Sequence, residues 1–186
     1  SIIGCMSGDN PLPSVGDYSF YGCSTLQDNE DQGIWALDFL SGCASIGEGA
    51  FIGCSNIKQL SRIDGSGNRI GLNSVSYIGR SAFMGCEGIK KIELPATLTS
   101  ISDSAFEGCS NINNGIEWED ANASSATGAI GKRAFYGCTA ADNRNWHVVI
   151  PSQIATIGES AFFNCGMQTF MWNGTDAGTL NELTTL

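Results

Sequence analysis

The sequence predicts an α/β solenoid, a chain wound into stacked coils with short strands on one side and short helical or irregular segments on the other. Three observations carry this. The first is a pattern that returns six times: LPSVGDYSFYGC (Leu12 to Cys23), CASIGEGAFIGC (Cys43 to Cys54), VSYIGRSAFMGC (Val75 to Cys86), LTSISDSAFEGC (Leu98 to Cys109), TGAIGKRAFYGC (Thr127 to Cys138) and IATIGESAFFNC (Ile154 to Cys165). In each copy Ile or Val follows the opening residue by three positions, Phe lies five further on, and Cys three beyond the Phe. The second is the period: successive Phe residues stand 23 to 32 positions apart, in the range that marks a solenoid. The third is a second apolar series after the Cys, clearest in Ile89, Ile92 and Leu94 before Pro95. These three can share the inward side of a short strand, and Pro95, which lacks a backbone N–H, ends it.

Residues 1–11 are read as an N-terminal edge or partial repeat. Ile2 to Cys5 match Phe51 to Cys54, yet the gap from Cys5 to Leu12 is too short for a full strand segment. The same residues resemble a bacterial lipobox, whose Cys is lipidated after cleavage; a frayed or capping start is the other reading. After Cys23, Leu26 begins a strand, a polar loop interrupts, and Ile34, Trp35, Leu37 and Phe39 resume a two-residue alternation that predicts a further strand. The loop holds Asp28, Glu30 and Asp31, which reads as a solvated acidic loop or, less simply, a calcium site. Between Cys54 and Val75, Ile57, Leu60 and Ile63 lead into a polar turn, Asp64 to Asn68, and on to Ile70, which predicts a hairpin. Arg69 and Val75 stand where a calcium-binding EF-hand loop needs Gly and Glu, so that motif is rejected.

The copy from Phe83 to Phe106 is the shortest and shows the basic coil. Leu98 and Ile101 return to the core after Pro95, and Asp103 is expected to cap a helical turn that carries Ala105 and Phe106 inward. The longer copies must put their extra residues on the surface, where backbone polar groups meet water. Loops are therefore expected over 118–128 and 139–145, the latter before a strand from Trp146 to Ile150. Residues 173–186, with Leu180, Leu183 and Leu186 at three-residue spacing, are read as a C-terminal edge, either a short capping helix or the opening of another repeat.

Fixed spacing also assigns the core. Phe20, Phe51, Phe83, Phe106, Phe135 and Phe162 should stack, and Cys23, Cys54, Cys86, Cys109, Cys138 and Cys165 should form a second buried column. A free Cys behaves as a small hydrophobe, so reduced thiols are preferred over a disulfide framework. No CxxC pair is present to suggest zinc.

The whole unit, AFxGCxxIxxIxLPxxLxxI, resembles the BspA-type leucine-rich repeat of surface proteins from gut and oral bacteria and some protozoan parasites. The resemblance covers residues 12–172, read as one repeat domain. Ser19 replaces the Ala and Asn164 the Gly of the pattern, and Cys43 and Thr127 stand where Leu is usual. It implies a right-handed, horseshoe-shaped leucine-rich-repeat solenoid with a parallel sheet. It further implies a cell-surface or extracellular setting and a role in adhesion or protein recognition, with host extracellular or cell-surface proteins as partners.

The net charge of −10 opposes binding to nucleic acid and to anionic membranes, and no apolar run is long enough to span a bilayer. Enzyme chemistry has little to build on. His147 is the only histidine, every repeated Cys has a packing role, and Walker, GxGxxG and HExxH motifs are absent. No catalytic residue, metal or cofactor is expected, and the chain is expected to be a monomer. Recognition is better motivated, because a repeat protein displays a long surface and varies its non-core positions. Aligning Pro95 with Pro151 sets Trp146, His147 and Val149 opposite Lys90, Lys91 and Glu93, at outward strand positions. The same register adds Lys58 and Gln59, Trp35, and Gln168 and Met171. Exposed Trp and Met mark contact surfaces, so this strand face is the expected site for a protein ligand. A structural spacer and a glycan-binding module are the alternatives.

Overall fold

The structure is a computed structural model of the chain, and it describes residues 14–29, 35–112, 115–119, 127–139, 147–167, 169–172 and 175–176. In chain order its strands are β1 (Ser14–Val15), β2 (Ser45–Ile46), β3 (Ser61–Ile63), β4 (Arg69–Gly71), β5 (Tyr77–Ile78), β6 (Ile92–Leu94) and β7 (Ser100–Ile101). There follow β8 (Ile116–Trp118), β9 (Gly128–Ile130), β10 (His147–Ile150), β11 (Ile154–Ile157), β12 (Thr169–Trp172) and β13 (Thr175–Asp176).

Two sheets flank the core. The Ile or Val of each copy lies on a strand of the first, all parallel, in the order β1-β2-β5-β7-β9-β11. The apolar series after the Cys makes the second, β13-β12-β10-β8-β6, parallel except for β13, which runs antiparallel to β12. Between them Ile46, Ile78, Ile92, Leu94, Ile101, Ile116 and Val148 are buried. The Phe column stacks as the spacing predicts, with ring centroids 5.0–5.2 Å apart and planes within 7°. Phe39 packs beside the first two rings, at 42° to Phe20 and 44° to Phe51, and Phe170 meets the last ring, Phe162, at 70°.

Among the described residues the α part of the expected α/β class is absent. Among the described residues the chain is a parallel-strand β-solenoid whose helical structure is one three-residue 3-10 helix, Asp38–Leu40. The segment from Ser102 to Cys109, expected to make a helical turn, is a run of tight turns instead. Ser104 and its equivalents Tyr18, Gly49, Ser81, Arg133 and Ser160 have φ of 52–59°, and Gly108 with Gly22, Gly53, Gly85, Gly137 and Asn164 has φ of 57–74°. A left-handed residue at every fourth position stops a right-handed helix. The hydrogen bonds run between coils: the N–H groups of Ser104, Phe106 and Gly108 donate to the carbonyls of Lys132, Ala134 and Tyr136 at 2.7–2.8 Å. The same triplet recurs from each coil to the next, making a third side to the solenoid. Asp103 does not cap its own turn; its Oδ1 accepts the Lys132 N–H at 2.8 Å, as Asp17 accepts that of Glu48.

The Cys column is made of free thiols, and the five after Cys23 donate backwards along the stack. Cys54, Cys86, Cys109, Cys138 and Cys165 donate to the carbonyls of Phe20, Phe51, Phe83, Phe106 and Phe135 at 2.8–3.2 Å. Burial pushes the Cys86 and Cys138 thiols up, and that of Cys165 to about 12. An unfolded thiol ionises near pH 8.5. Above that pH the unfolded chain loses protons that the folded chain keeps, so stability falls by about 1.4 kcal/mol per pH unit for each such thiol until the folded group also ionises. Thermal melting is expected to be level between about pH 6 and 8 and to drop steeply above about pH 9, less so for Cys138→Ala. A melting temperature that held through about pH 10 would mean that the column ionises without unfolding.

The first coil departs from the strand expected over Ile34 to Phe39. Among the described residues there, Ala36, Leu37 and Leu40 are buried and 38–40 is the 3-10 helix. Leu37 and Leu40 follow its three-residue period. Asp28 is buried and accepts the Ala36 N–H at 2.7 Å and the Lys58 N–H at 3.0 Å. Its carboxylate is thus a bracket between two coils. The predicted hairpin is present as β3 paired antiparallel with β4. Asp64 accepts the N–H groups of Asn68 and Ser66 across the turn, and that of Asn68 above all holds its carboxyl below the usual range. The two ends of the loop expected over 118–128 are strand residues, since Trp118 ends β8 and Gly128 opens β9. Residues 1–13, Glu30, Asp31, 120–126, 140–146, Gln168 and 177–186 lie outside the described residues, and with them the readings made for Cys5, Trp146 and Leu180 to Leu186.

Candidate functional site

Alternation along the second sheet separates core from surface. Ile92, Ile116, Val148 and Phe170 form one inward row, and Leu94 pairs with Trp118 in the next. The residues between them face out: Glu93 pairs with Glu117, and Val149 with Met171. One step earlier, Gln59 is bridged to Lys91 and His147 pairs with Thr169. Pairing thus places Gln59, Lys91, Glu93, Val149 and Met171 on one face as expected; for His147 the structure describes the backbone pairing with Thr169.

The face has a charged half and an apolar half. Lys91 Nζ lies 2.9 Å from Glu93 and 2.8 Å from Glu117. From β4, Arg69 reaches Glu119 at 2.7 Å and Glu93 at 3.8 Å, so the hairpin extends the charged network. Partial burial works against the Lys91 charge, but the hydrogen bonds to Glu117 and Glu93 outweigh it and hold the ammonium above its usual range. Beside this network Val149 and Met171 are 37% and 38% exposed. Lys58 and Lys90 are exposed at the start of the face, the Lys90 N–H donating to the Lys58 carbonyl at 3.1 Å. Trp35, on no strand of the sheet, is half-buried and lines a small hollow with Gln59 and Arg62, whose guanidinium lies 5.9 Å over its ring and pairs with Asp38 at 2.7 Å. Trp146 and Gln168 lie outside the described residues.

Sequence reasoning missed Glu117 and Arg69. Glu117 was within reach, since Ile116–Glu117–Trp118 matches Ile92–Glu93–Leu94. It also missed a second column, exposed or half-buried, on the turn side. The residue between Phe and Gly or Asn is Tyr21, Ile52, Met84, Glu107, Tyr136 or Phe163, apolar or aromatic in all but one coil. Tyr21 is 62% exposed, Tyr136 and Phe163 stack at 5.4 Å, and Arg133 lies 4.0 Å over Tyr136 while pairing with Glu107. Among the described residues no group of three or more His, Cys, Asp or Glu side chains is placed to hold a metal ion, and no helix is long and apolar enough to cross a membrane.

A family model described as BspA type leucine rich repeat region matches residues 6–71 and 67–175, in six copies. Among solved structures, the crystal structure of a leucine rich cell surface protein from Faecalibacterium prausnitzii A2-165 is similar at 20% identity and a TM-score of 0.47. The match covers 91% of this chain and 46% of that one, so the chain spans about half the length of the solved protein. No curated protein matches.

Proposed function

The chain belongs to the BspA-type leucine-rich repeat family, and from that premise we propose that it is a non-enzymatic repeat domain that recognises a protein ligand with the outward face of its second sheet. The reading places it at a cell surface or outside the cell, in adhesion. One observation supports it above the others: the exposed pair Val149 and Met171 sits beside the ion-paired group of Lys91, Glu93, Glu117 and Arg69. An apolar centre with a charged rim is the usual anatomy of a protein interface. The net charge of −10 favours a basic ligand and an association rate that falls with salt. Buried thiols are compatible with an oxidising setting, because the thiolate is the reactive form and burial suppresses it in Cys86, Cys138 and Cys165.

The test is surface plasmon resonance against a panel of purified extracellular-matrix and cell-surface proteins, with the parent and the double variant Val149→Ser, Met171→Ser. At about 1.5 kcal/mol or more for each buried apolar side chain, the variant is expected to lose at least about tenfold in affinity for whatever the parent binds. A parent that binds none of the panel, or a variant that binds as the parent does, would overturn the reading, the first in favour of a structural spacer.

A further inference from the structure

In a repeat, a position that is small in every coil but one needs a local reason. Six positions before each Phe stand Ser14, Ser45, Tyr77, Ser100, Ala129 and Thr156, and four before it stand Gly16, Gly47, Gly79, Ser102, Gly131 and Gly158. The second column closes the coils on one another: a Cβ on Gly47, Gly79, Gly131 or Gly158 would stand 2.5–2.7 Å from atoms of the preceding coil. Ser102 nevertheless carries a side chain there, and its hydroxyl donates to Tyr77 Oη at 3.0 Å. The two departures are in adjacent coils and touch each other. Together with Glu48, Arg80 and Asp103 they line an open pocket of about 350 Å³.

The groups around it are oriented. Tyr77 is 42% exposed while its hydroxyl is tethered to Ser102. Glu48 Oε1 accepts the Tyr18 hydroxyl at 2.6 Å, and Asp103 Oδ1 accepts the Lys132 N–H at 2.8 Å, which leaves the second oxygen of each carboxylate as an acceptor. Arg80 lies 3.7 Å from Asp103 Oδ2 and brings the donors of its guanidinium.

We propose that this pocket binds one neutral sugar unit of a glycan, with the apolar C–H face of the ring on Tyr77 and its hydroxyls paired by Arg80, Glu48, Asp103 and Ser102. Sugar hydroxyls both donate and accept, and this set offers acceptors and donors on either side of one aromatic ring. Two carboxylates against one guanidinium disfavour an anionic ligand. The volume is at the small end of the roughly 300 to 1,000 Å³ of ligand sites, and a single ring gives a peptide side chain no apolar cavity to enter. The site is on the first sheet and the turn side, independent of the protein-binding face.

Saturation-transfer NMR with neutral methyl glycosides, and an array of neutral oligosaccharides, test this with the parent, Tyr77→Ser and Ser102→Gly. Each variant restores the residue that other coils carry, so the melting temperature should be unchanged. The parent is expected to bind a subset of these sugars, Tyr77→Ser to lose about tenfold or more, and Ser102→Gly to lose several-fold. The double variant Val149→Ser, Met171→Ser should bind sugars as the parent does. No transfer and no array signal from the parent, or binding indifferent to both pocket substitutions, would overturn the proposal.

Discussion

Replacing Phe106 with Ala is expected to lower the unfolding free energy by about 3 to 5 kcal/mol, the range for deleting a fully buried ring. Phe106 is fully buried and lies 5.2 Å from Phe83 on one side and from Phe135 on the other. Its loss opens a gap that neither neighbour can close, because the backbone beside it is fixed by hydrogen bonds from Phe83 N–H to the Ala105 carbonyl and from Phe106 N–H to that of Ala134, both at 2.7 Å. The same change at Phe162, which is 8% exposed, should cost less. In a stack where each coil touches its neighbours, a weak middle interface also lets the halves unfold apart. Urea denaturation should therefore show a lower midpoint for Phe106→Ala and a broader transition. Equal costs at the two positions would contradict a continuous stacked core.

The second large effect is expected at Asp28. Asp28→Ala removes a buried carboxylate that accepts two backbone N–H groups, Ala36 from its own coil and Lys58 from the next. Hydrogen bonds to a charged acceptor contribute about 1.5 to 3 kcal/mol each, and the two orphaned donors would stay shielded from water. A loss of about 3 kcal/mol is expected, or roughly 6 to 12 °C in melting temperature for a chain of this size. Asp28→Asn keeps an acceptor oxygen and should recover part of the loss. A bound-cation role for the same carboxylate predicts a different outcome, in which adding calcium raises the melting temperature of the parent and not of the Ala variant.

Much of the core was legible because a repeat reports each buried position six times. The Phe and Cys columns follow from spacing alone, and the hairpin around Asp64 from a polar turn between apolar flanks. The turn side was not legible in the same way. Its left-handed residues include Tyr18, Ser81 and Arg133, types that rarely take that conformation, and only the Gly two positions after Phe hinted at it. Asp103 looked like a helix cap because a capping side chain and a carboxylate bracing the next coil both accept a backbone N–H. In the first coil the sequence carried two periods at once. Trp35, Leu37 and Phe39 suggested a strand, Leu37 and Leu40 a 3-10 turn, and the packing of Phe39 against Phe20 and Phe51 goes with the latter.

The candidate face divides along the same line. Lys91, Glu93, Val149 and Met171 could be assigned together because strand alternation anchored on Pro95 and Pro151 sets their direction. Arg69 could not, since it arrives from an inserted hairpin and meets Glu119 fifty positions away. Trp35 reaches the hollow beside Gln59 without a strand of its own, so alternation alone does not set its direction. Tyr77 and Ser102 were each visible as departures from the repeat, but only the stacking of one coil on the next brings them into contact.

The claim that the second sheet carries recognition is tested most directly by amide hydrogen exchange on the parent with and without a bound protein ligand. The account predicts slowed exchange in peptides over Ile116–Trp118, His147–Ile150 and Thr169–Trp172, with peptides carrying Tyr21, Met84 and Phe163 unchanged. Protection confined to those turn-side peptides, with the second sheet unaffected, would contradict it.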